Sequence, residues 1–337
     1  MRSSSRSIAR APRYLAWLEY DGAALHGFQR QADGASPTAQ GAFDSALRAF
    51  AGDRADVRSV GSSRTDVGVH ALRNAVHFDL LRFASLRERS DAADARRVRL
   101  GLNSHLSRIN NAVNVVECVR VDDMNPEFHA RHDAIERKYA YDIVVGDARR
   151  ASVFDRGRAW YVTRDRRPRF GFVDTVDGRW RMRSSRPGFW TCGDALDVGA
   201  MRDAAREFVG ALDFSSFRAK GCQSTSALRS VTSVEVYETH AMYPSSVSLE
   251  VEQRIRVAVA APSFLYHQVR LIVGALKAVG AGDIAPRDVR EILNARDPSL
   301  APQLAPACGL YLTDVSYLPG YASRPPFASV DAADAVA

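Results

Sequence analysis

The spacing of apolar residues predicts strands and helices in the first third of the chain. Residues 14–22, YLAWLEYDG, are typical of a β-strand that ends in an Asp-Gly turn. Ser36 and Pro37 are typical of a helix N-cap and first helical residue. The helix itself is indicated by apolar residues at i, i+4 and i+7, which are Phe43, Leu47 and Phe50, with Gly52 after them. A strand at 75–80 and a helix at 96–105 complete a predicted αβ unit.

The remainder of the chain also mixes the two patterns. Residues 137–145 alternate cleanly, which places Tyr139, Tyr141, Ile143 and Val145 on one face of a strand. Further strands are predicted at 113–121, 233–238, 247–252 and 254–261, and helices around 201–208, 269–280 and 289–293. Most strands can pair with neighbours as antiparallel hairpins. We therefore predict an α+β fold of two domains with largely antiparallel sheets and helices packed on them.

The predicted domain boundaries follow these patterns. Residues 14–112 form the first domain and residues 113–320 the second, with an Ala- and Pro-rich tail at 321–337. Residues 163–191 are set apart by eight arginines, three aspartates and five aromatic residues. This mixture suits contact with RNA phosphates and bases, and it equally suits a surface hairpin that turns at Asp177-Gly178.

Composition narrows the classes of partner and site. The net charge is +7 and the pI is near 9.4, which favours a polyanionic partner such as RNA. However, 43 of the 46 basic residues are arginine, a bias that genome composition also produces. No apolar run approaches the roughly 20 residues needed to span a bilayer, so we expect a soluble protein without a membrane partner.

Cysteine and histidine spacing gives no indication of a metal site. The four cysteines are far apart without a CxxC pair, which fits a reducing compartment. His129 and His132 form the nearest metal-like pair, but no further ligand cluster accompanies them. Residues 1–13 are rich in Arg and Ser and contain no acid. They are typical of a transit segment or of a basic tail, which leaves the cytoplasm and the mitochondrion as alternatives.

The candidate chemistry lies in GSSRTDVGVHA, residues 61–71, where Asp66 stands two residues after Arg64. An isolated Asp-x-Gly is most often a turn. Five other segments change this interpretation, because together with this loop they resemble the TruA-type tRNA pseudouridine synthases, in the family's order, between residues 14 and 318. The five are EYDGAALHGFQRQ (19–31), FHARHDAIERKYAYDI (128–143), DFSSFRAKGCQS (213–224), FLYHQVRLIVGALKAVG (264–280) and APACGLYL (305–312).

The resemblance implies a role for Asp66 as the catalytic nucleophile. Pseudouridine formation breaks the N1–C1′ bond of uridine, rotates the uracil and rejoins it through C5. A carboxylate can begin this by attacking C1′, as in retaining glycosidases. Attack at C6 of the base and removal of the C2′ proton remain alternatives.

The resemblance also implies roles for three residues that bind the substrate. Arg270 is the ion partner of Asp66, and an unpaired arginine on its apolar helix would be costly. Arg64 holds the substrate with its target base flipped out, because C1′ is inaccessible in a stacked base. Tyr139 stacks on the uracil and retains it while it is detached.

Other positions within the matching segments are assigned more general roles. Gln29, Arg30, Arg218 and Lys220 are candidates for RNA contact, and His70 is expected to order the loop rather than transfer protons. Three positions depart from the usual family residues without removing a functional group; they are Phe28 for tryptophan, Ser63 for glycine and Val67 for alanine.

The resemblance implies a substrate and an assembly as well. The substrate is the anticodon stem-loop of tRNA, commonly at positions 38 to 40. The implied fold has two sheets joined side by side, helices on the outer face and a central RNA-binding cleft that contains Asp66, and the implied assembly is a homodimer. The sequence has no nucleotide-binding loop and the reaction is redox-neutral, so we predict no cofactor and no catalytic metal. Two rival functions are an inactive RNA-binding scaffold and a hydrolase that cleaves an N-glycosidic bond.

Overall fold

The chain divides into two compact units. The computed structural model describes residues 11–31, 36–52, 57–80, 91–146, 155–162, 170–173, 181–184, 195–239 and 253–321. The first unit comprises 1–136 with 312–337, and the second comprises 137–311. This division differs from the boundary expected at residue 112, because the strand that begins at Val113 pairs with the first strand of the chain. Local patterns do not reveal such pairing between distant segments.

Thirteen strands and five α-helices are present in the described residues. In chain order they are β1 (Arg13–Tyr20), α1 (Ala39–Ala51), β2 (Ser59–Gly61), β3 (His70–Asp79), α2 (Asp91–Ile109), β4 (Val113–Arg120), β5 (Glu136–Val145), β6 (Trp160–Val162), β7 (Phe170–Val173), β8 (Arg181–Ser184), α3 (Val198–Arg206), β9 (Gly210–Asp213), β10 (Leu228–Val231), β11 (Ser233–Thr239), β12 (Gln253–Ala261), α4 (Gln268–Gly280), α5 (Asp288–Ala295) and β13 (Leu310–Ser316).

In the first unit, β1 is a central strand. It pairs antiparallel with β3 on one side and β4 on the other, and β2 pairs antiparallel with the last residues of β3. Most side chains of β1 are buried, among them Tyr14 and Trp17. The ring of Tyr14 stacks on Phe78, which also receives the edge of Phe43 from α1. Helix α1 packs against α2, and α2 packs against β4, so the helices cover this sheet.

Helix α1 begins two residues later than the Ser-Pro pair predicts. Thr38 is its N-cap, with Oγ1 accepting the N–H of Gly41 at 3.1 Å. The carbonyl of Pro37 instead accepts the N–H of His26 at 2.7 Å, which ties the residues before the helix to another segment. The prediction of Ser36 as N-cap is therefore wrong, whereas the predicted end at Gly52 is confirmed.

In the second unit, β12 pairs antiparallel with both β11 and β5, and the short β6 runs parallel to β5. Strands β9 and β10 form a separate antiparallel pair. Helix α3 packs against α4 and β11, and the core includes the rings of Phe208 and Phe217, in edge-to-face contact at 5.0 Å. Helices and largely antiparallel strands therefore occur in both units, which confirms the predicted α+β class.

Strands β7 and β8 lie within the Arg- and aromatic-rich segment. They pair antiparallel, with Phe170 opposite Ser184 and Val173 opposite Arg181. The two strands of the hairpin predicted around Asp177-Gly178 are therefore confirmed. The turn itself lies outside the described residues, as do the predicted strand at 247–252, residues 1–10 and most of the C-terminal tail. Among the helices described, none combines the length and the apolar character that a membrane span requires.

Candidate active site

The GSSRTDVGVHA loop connects β2 to β3, and its neck is held by hydrogen bonds. The N–H of Ser62 donates to the carbonyl of Ala75 at 2.8 Å. The fully buried Asn74 donates its amide to the carbonyl of Ser63 and to the hydroxyl of Tyr20, both at 3.1 Å. Because two adjacent strands and a buried amide fix its ends, the loop leaves the sheet along a defined path.

Thr65 fixes the backbone directly before Asp66. Its hydroxyl is 2.7 Å from the hydroxyl of Tyr20, and both side chains are buried. Its carbonyl accepts the N–H of Phe28 at 3.0 Å. The side chain and the backbone of Thr65 are therefore both engaged, which limits the positions that the next residue can take.

Asp66 itself begins a tight turn. Its carbonyl accepts the N–H of Val69 at 3.1 Å, and Gly68 within the turn has φ +80°. The side chain of Asp66 is half-buried, whereas Val67 is 61% exposed. Asp66 is thus a turn aspartate, but one whose turn is supported by buried residues from other segments. This arrangement can present a carboxylate at a fixed position with access to solvent.

His70 supports the same loop. It is 3% exposed, and its Nδ1 lies 3.1 Å from the N–H of Gly22 and 3.1 Å from Oδ1 of Asp21. A backbone N–H can only donate, so Nδ1 accepts from Gly22, and in the neutral ring the proton is on Nε2. The contact with Asp21 is therefore not an ion pair; that carboxylate accepts the N–H of Ala23 instead. This placement fits the ordering role expected for His70.

Residues 27–30 run beside the loop, and two of them are candidates for RNA contact. Gln29 is half-buried, and its amide donates to Oε1 of Gln40 at 2.6 Å. Arg30 is exposed, with its backbone N–H bound to the same oxygen. Arg64, in the loop, is also exposed. The two arginines can therefore reach a ligand in solvent, whereas Gln29 positions its own segment.

Tyr139 occupies β5 in the second unit, opposite Val259 of β12. It is half-buried, and its ring contacts Phe264 edge-to-face at 5.3 Å. Tyr141, two residues later, is fully buried and donates its hydroxyl to the carbonyl of Pro306, and burial raises its pKa. The two tyrosines therefore differ: Tyr141 is a core residue, and Tyr139 is only half-buried.

Arg270 lies in the first turn of α4, also in the second unit. Its Nε donates to the carbonyl of Ala305 at 2.7 Å, which fixes the plane of the half-buried guanidinium. The residue before the helix, His267, has φ +62°, a left-handed conformation that is uncommon outside glycine and is often found at functional sites. Tyr266 stacks on His267 at 3.8 Å and is exposed. Sequence reasoning did not single out this pair.

Two further candidates for RNA contact lie after β9. Arg218 is half-buried and donates to the carbonyl of Ser224 at 3.2 Å, and Lys220 is exposed.

The pair of His129 and His132 is placed differently from the ligands of a metal site. Nδ1 of His129 faces the backbone N–H groups of Arg131 and His132, at 3.2 and 3.4 Å. Across the part of the chain that the structure describes, no three His, Cys, Asp or Glu side chains form a metal-binding group.

Comparisons with known proteins bear on the resemblance. A sequence model described as tRNA pseudouridine synthase matches residues 204–318. Proteins named tRNA pseudouridine synthase A are similar over nearly the whole chain. The protein of Methylobacterium radiotolerans is 36% identical over 92% of this chain and 99% of its own length. That of Cereibacter sphaeroides is 38% identical over 91% and 96%, and that of Agrobacterium fabrum 32% over 91% and 92%. On this similarity, the chain belongs to the tRNA pseudouridine synthase family.

Proposed function

We propose that this protein converts uridine to pseudouridine in the anticodon stem-loop of tRNA, at a site among positions 38 to 40, with Asp66 as the nucleophile. The observation that carries the proposal is the construction of the loop around Asp66. Buried hydrogen bonds through Thr65, Asn74 and Tyr20 hold the backbone, while the carboxylate keeps access to solvent. Such preorganisation is what a nucleophile needs if it is to meet one carbon of a bound nucleotide.

The reaction conserves all atoms of the nucleotide. In the route through C1′, a carboxylate oxygen of Asp66 bonds to C1′ and N1 leaves with the electron pair of the glycosidic bond. The uracil rotates, C5 bonds to C1′ and the carboxylate leaves. The proton on C5 is lost and N1 ends with a proton, so no oxidant or reductant enters. Attack at C6 and removal of the C2′ proton are the alternative routes, and each also uses an ionised carboxylate.

Three other side chains complete the proposed chemistry. The exposed Arg64 holds the substrate with its uridine flipped out of the stack. The half-buried Tyr139 retains the detached uracil by stacking. The guanidinium plane of Arg270 is fixed by the carbonyl of Ala305, and the resemblance implies that Arg270 is the ion partner of Asp66.

RNA binding extends beyond the reacting nucleotide in this proposal. Arg30 and Lys220 are exposed and can neutralise phosphates, while Gln29 and Arg218 are half-buried and shape the segments that carry them. We further propose that the protein acts as a homodimer, as the resemblance implies.

The test uses an unmodified tRNA transcript with uridines on the 3′ side of the anticodon loop. Wild-type protein, Asp66→Asn and Asp123→Asn are each incubated with it, and pseudouridine is mapped by carbodiimide-blocked primer extension. Asp123 is an exposed acid of the same unit, so its variant is the matched control. We expect wild type and Asp123→Asn to modify one of positions 38 to 40 and Asp66→Asn to modify none, while it still binds the RNA.

The other outcomes identify the rival functions. Wild-type protein that binds tRNA but forms no pseudouridine, also with total cellular RNA, would be a scaffold. Release of free uracil would identify a hydrolase of the N-glycosidic bond. Activity in Asp66→Asn would remove Asp66 from the role of nucleophile.

A further inference from the structure

A cavity of about 700 Å³ opens in the first unit. It lies between residues 29–31, the first half of α1, the start of β2 and the end of α2. Its polar lining includes Gln29, Gln40, Asp44 and three arginines, which are Arg30, Arg48 and Arg58. None of the lining residues in the described part of the chain is aromatic, so these residues offer no surface on which a base would stack.

The described lining of the cavity carries a net positive charge. All three arginines are exposed, and Asp44 is the only acid among the lining residues that the structure describes. Asp44 is itself 4% exposed, and its Oδ1 accepts the N–H and the hydroxyl of Ser59, at 3.0 and 2.6 Å. Arg30 is only loosely associated with it, at 4.0 Å. A ligand in the cavity therefore meets three guanidinium groups and one carboxylate that is engaged elsewhere.

The helix N-terminus at this cavity does not itself supply hydrogen-bond donors. The N–H groups of Ala39 and Gln40 donate to the carbonyls of Gly27 and Phe28. Those of Gly41 and Ala42 donate to the side chain and the carbonyl of Thr38. The positive end of the α1 dipole adds to the field, and the arginines are the cationic side chains among the described lining residues that can bind an anion directly. Guanidinium groups suit the two free oxygens of a phosphodiester, which they can bind bidentately.

The cavity shares its framework with the catalytic loop. Gln40 binds the amide of Gln29 and the N–H of Arg30, and its own amide donates to the carbonyl of Ser59 at 2.9 Å. The same segment binds the loop, because the N–H of Phe28 donates to Thr65. An anion bound by Arg30 is therefore connected, through the backbone of residues 28–30, to the backbone next to Asp66.

We propose that this cavity binds a backbone phosphate of the substrate RNA, through Arg48 and Arg58 together with Arg30. The inference rests on the proposed function, since it takes the polyanion in question to be the tRNA that is modified. Arg48 and Arg58 are positioning residues in this proposal: they hold the RNA in register with the loop and do not touch the reacting nucleotide. Contacts to a backbone phosphate carry no information on base sequence, so this recognition is independent of it.

The test measures RNA binding separately from isomerisation. Affinity for the tRNA transcript is determined at several salt concentrations for wild type, Arg48→Gln, Arg58→Gln, the double variant and Arg206→Gln. Arg206 is 77% exposed on α3, so its variant removes the same charge from another surface. We expect the double variant to bind about tenfold more weakly and to lower the slope of log K against log salt by about one. In turnover assays, KM should rise while kcat stays within about twofold of the wild-type value. Arg48→Lys should restore part of the affinity.

Two results would overturn the proposal. The first is a double variant that keeps the affinity and the salt slope of wild type. The second is a loss of RNA affinity in Arg206→Gln as large as that in the cavity variants, which would indicate a general charge effect. Equal thermal midpoints of the variants show that a loss does not come from unfolding. Wild-type protein that binds RNA but forms no pseudouridine would contradict the proposed function alone, and the binding series would still decide for or against the cavity.

Discussion

At the scale of single residues, Gly27 gives the catalytic loop the space it needs. Its φ is +82°, and a Cβ at this position would lie 3.0 Å from the carbonyl oxygen of Thr65 and 3.3 Å from the backbone of Asp66. Alanine therefore adds a left-handed backbone cost and also pushes against the residues that place Asp66, the proposed nucleophile. Gly157 has φ +71° with no atom within 4 Å of such a Cβ, so it isolates the backbone cost.

We expect Gly157→Ala to lower the free energy of unfolding by about 1–2 kcal/mol, and Gly27→Ala to lower it by at least as much because of the added contacts. Only Gly27→Ala should also reduce kcat, because a displacement of about 1 Å at a catalytic group costs about 10²-fold in rate. Chemical denaturation and pseudouridine assays of both variants make the comparison. An unchanged kcat in Gly27→Ala would mean that the loop tolerates the extra atom without moving Asp66.

The sequence indicates candidate residues for this site, but it does not indicate the residues that support them. The RTD motif singled out Asp66 and Arg64 because the motif is contiguous. Tyr20, Thr65 and Asn74 form one hydrogen-bonded group, yet 45 residues separate the first two. No local pattern connects residues at that distance, and the same holds for Arg48 and Arg58, which look like ordinary surface arginines. Only the folded chain brings them to one cavity.

At the scale of elements, Arg73 links three strands of the first unit. From β3 it donates to Asp314 of β13 and to Glu117 of β4, both at 3.1 Å, and its guanidinium lies 4.9 Å from the ring of Trp17 on β1. The side chains of Arg73, Glu117 and Asp314 are each at most 13% exposed. Periodicity predicted β1, β4 and the second half of β3, but it predicted neither the last strand nor the buried ion network that joins this strand to the first unit.

Replacement of Arg73 should therefore strongly lower the free energy of unfolding. Arg73→Met leaves two carboxylates buried without their cation, and we expect a loss of about 3–5 kcal/mol in the free energy of unfolding. Arg206→Met breaks an exposed pair with Asp203 and should cost less than about 1 kcal/mol. Urea denaturation of both variants measures the difference. Similar losses would mean that the Arg73 network contributes no more than a surface ion pair.

At the scale of the whole molecule, the first unit combines the start and the end of the chain. Strand β4 and residues 312–316 both belong to it. The sequence pattern places a boundary between neighbouring elements at residue 112, whereas the compact unit follows the pairing of strands that are distant in sequence. A cooperative unit built this way unfolds as one body, and groups buried inside it couple its stability to pH.

His77 is such a group, and it predicts acid sensitivity of the first unit. It is 5% exposed, its Nδ1 accepts the N–H of Ala130 at 3.0 Å, and burial lowers its pKa to about 4, with Arg13 and His129 acting in the same direction against Asp79 and Asp133. Above pH 6.5 the imidazole is neutral in both states and contributes nothing. As pH falls from about 6.5 to 4 the unfolded chain binds a proton that the folded unit does not, so up to about 3 kcal/mol of the free energy of unfolding is lost.

His77→Asn keeps an acceptor for Ala130 and cannot titrate. The free energy of unfolding of this variant, measured with urea between pH 7 and 5, should therefore depend less steeply on pH. His26→Asn, which replaces an exposed histidine, should keep the wild-type dependence. If both variants follow wild type, the acid sensitivity belongs to other groups.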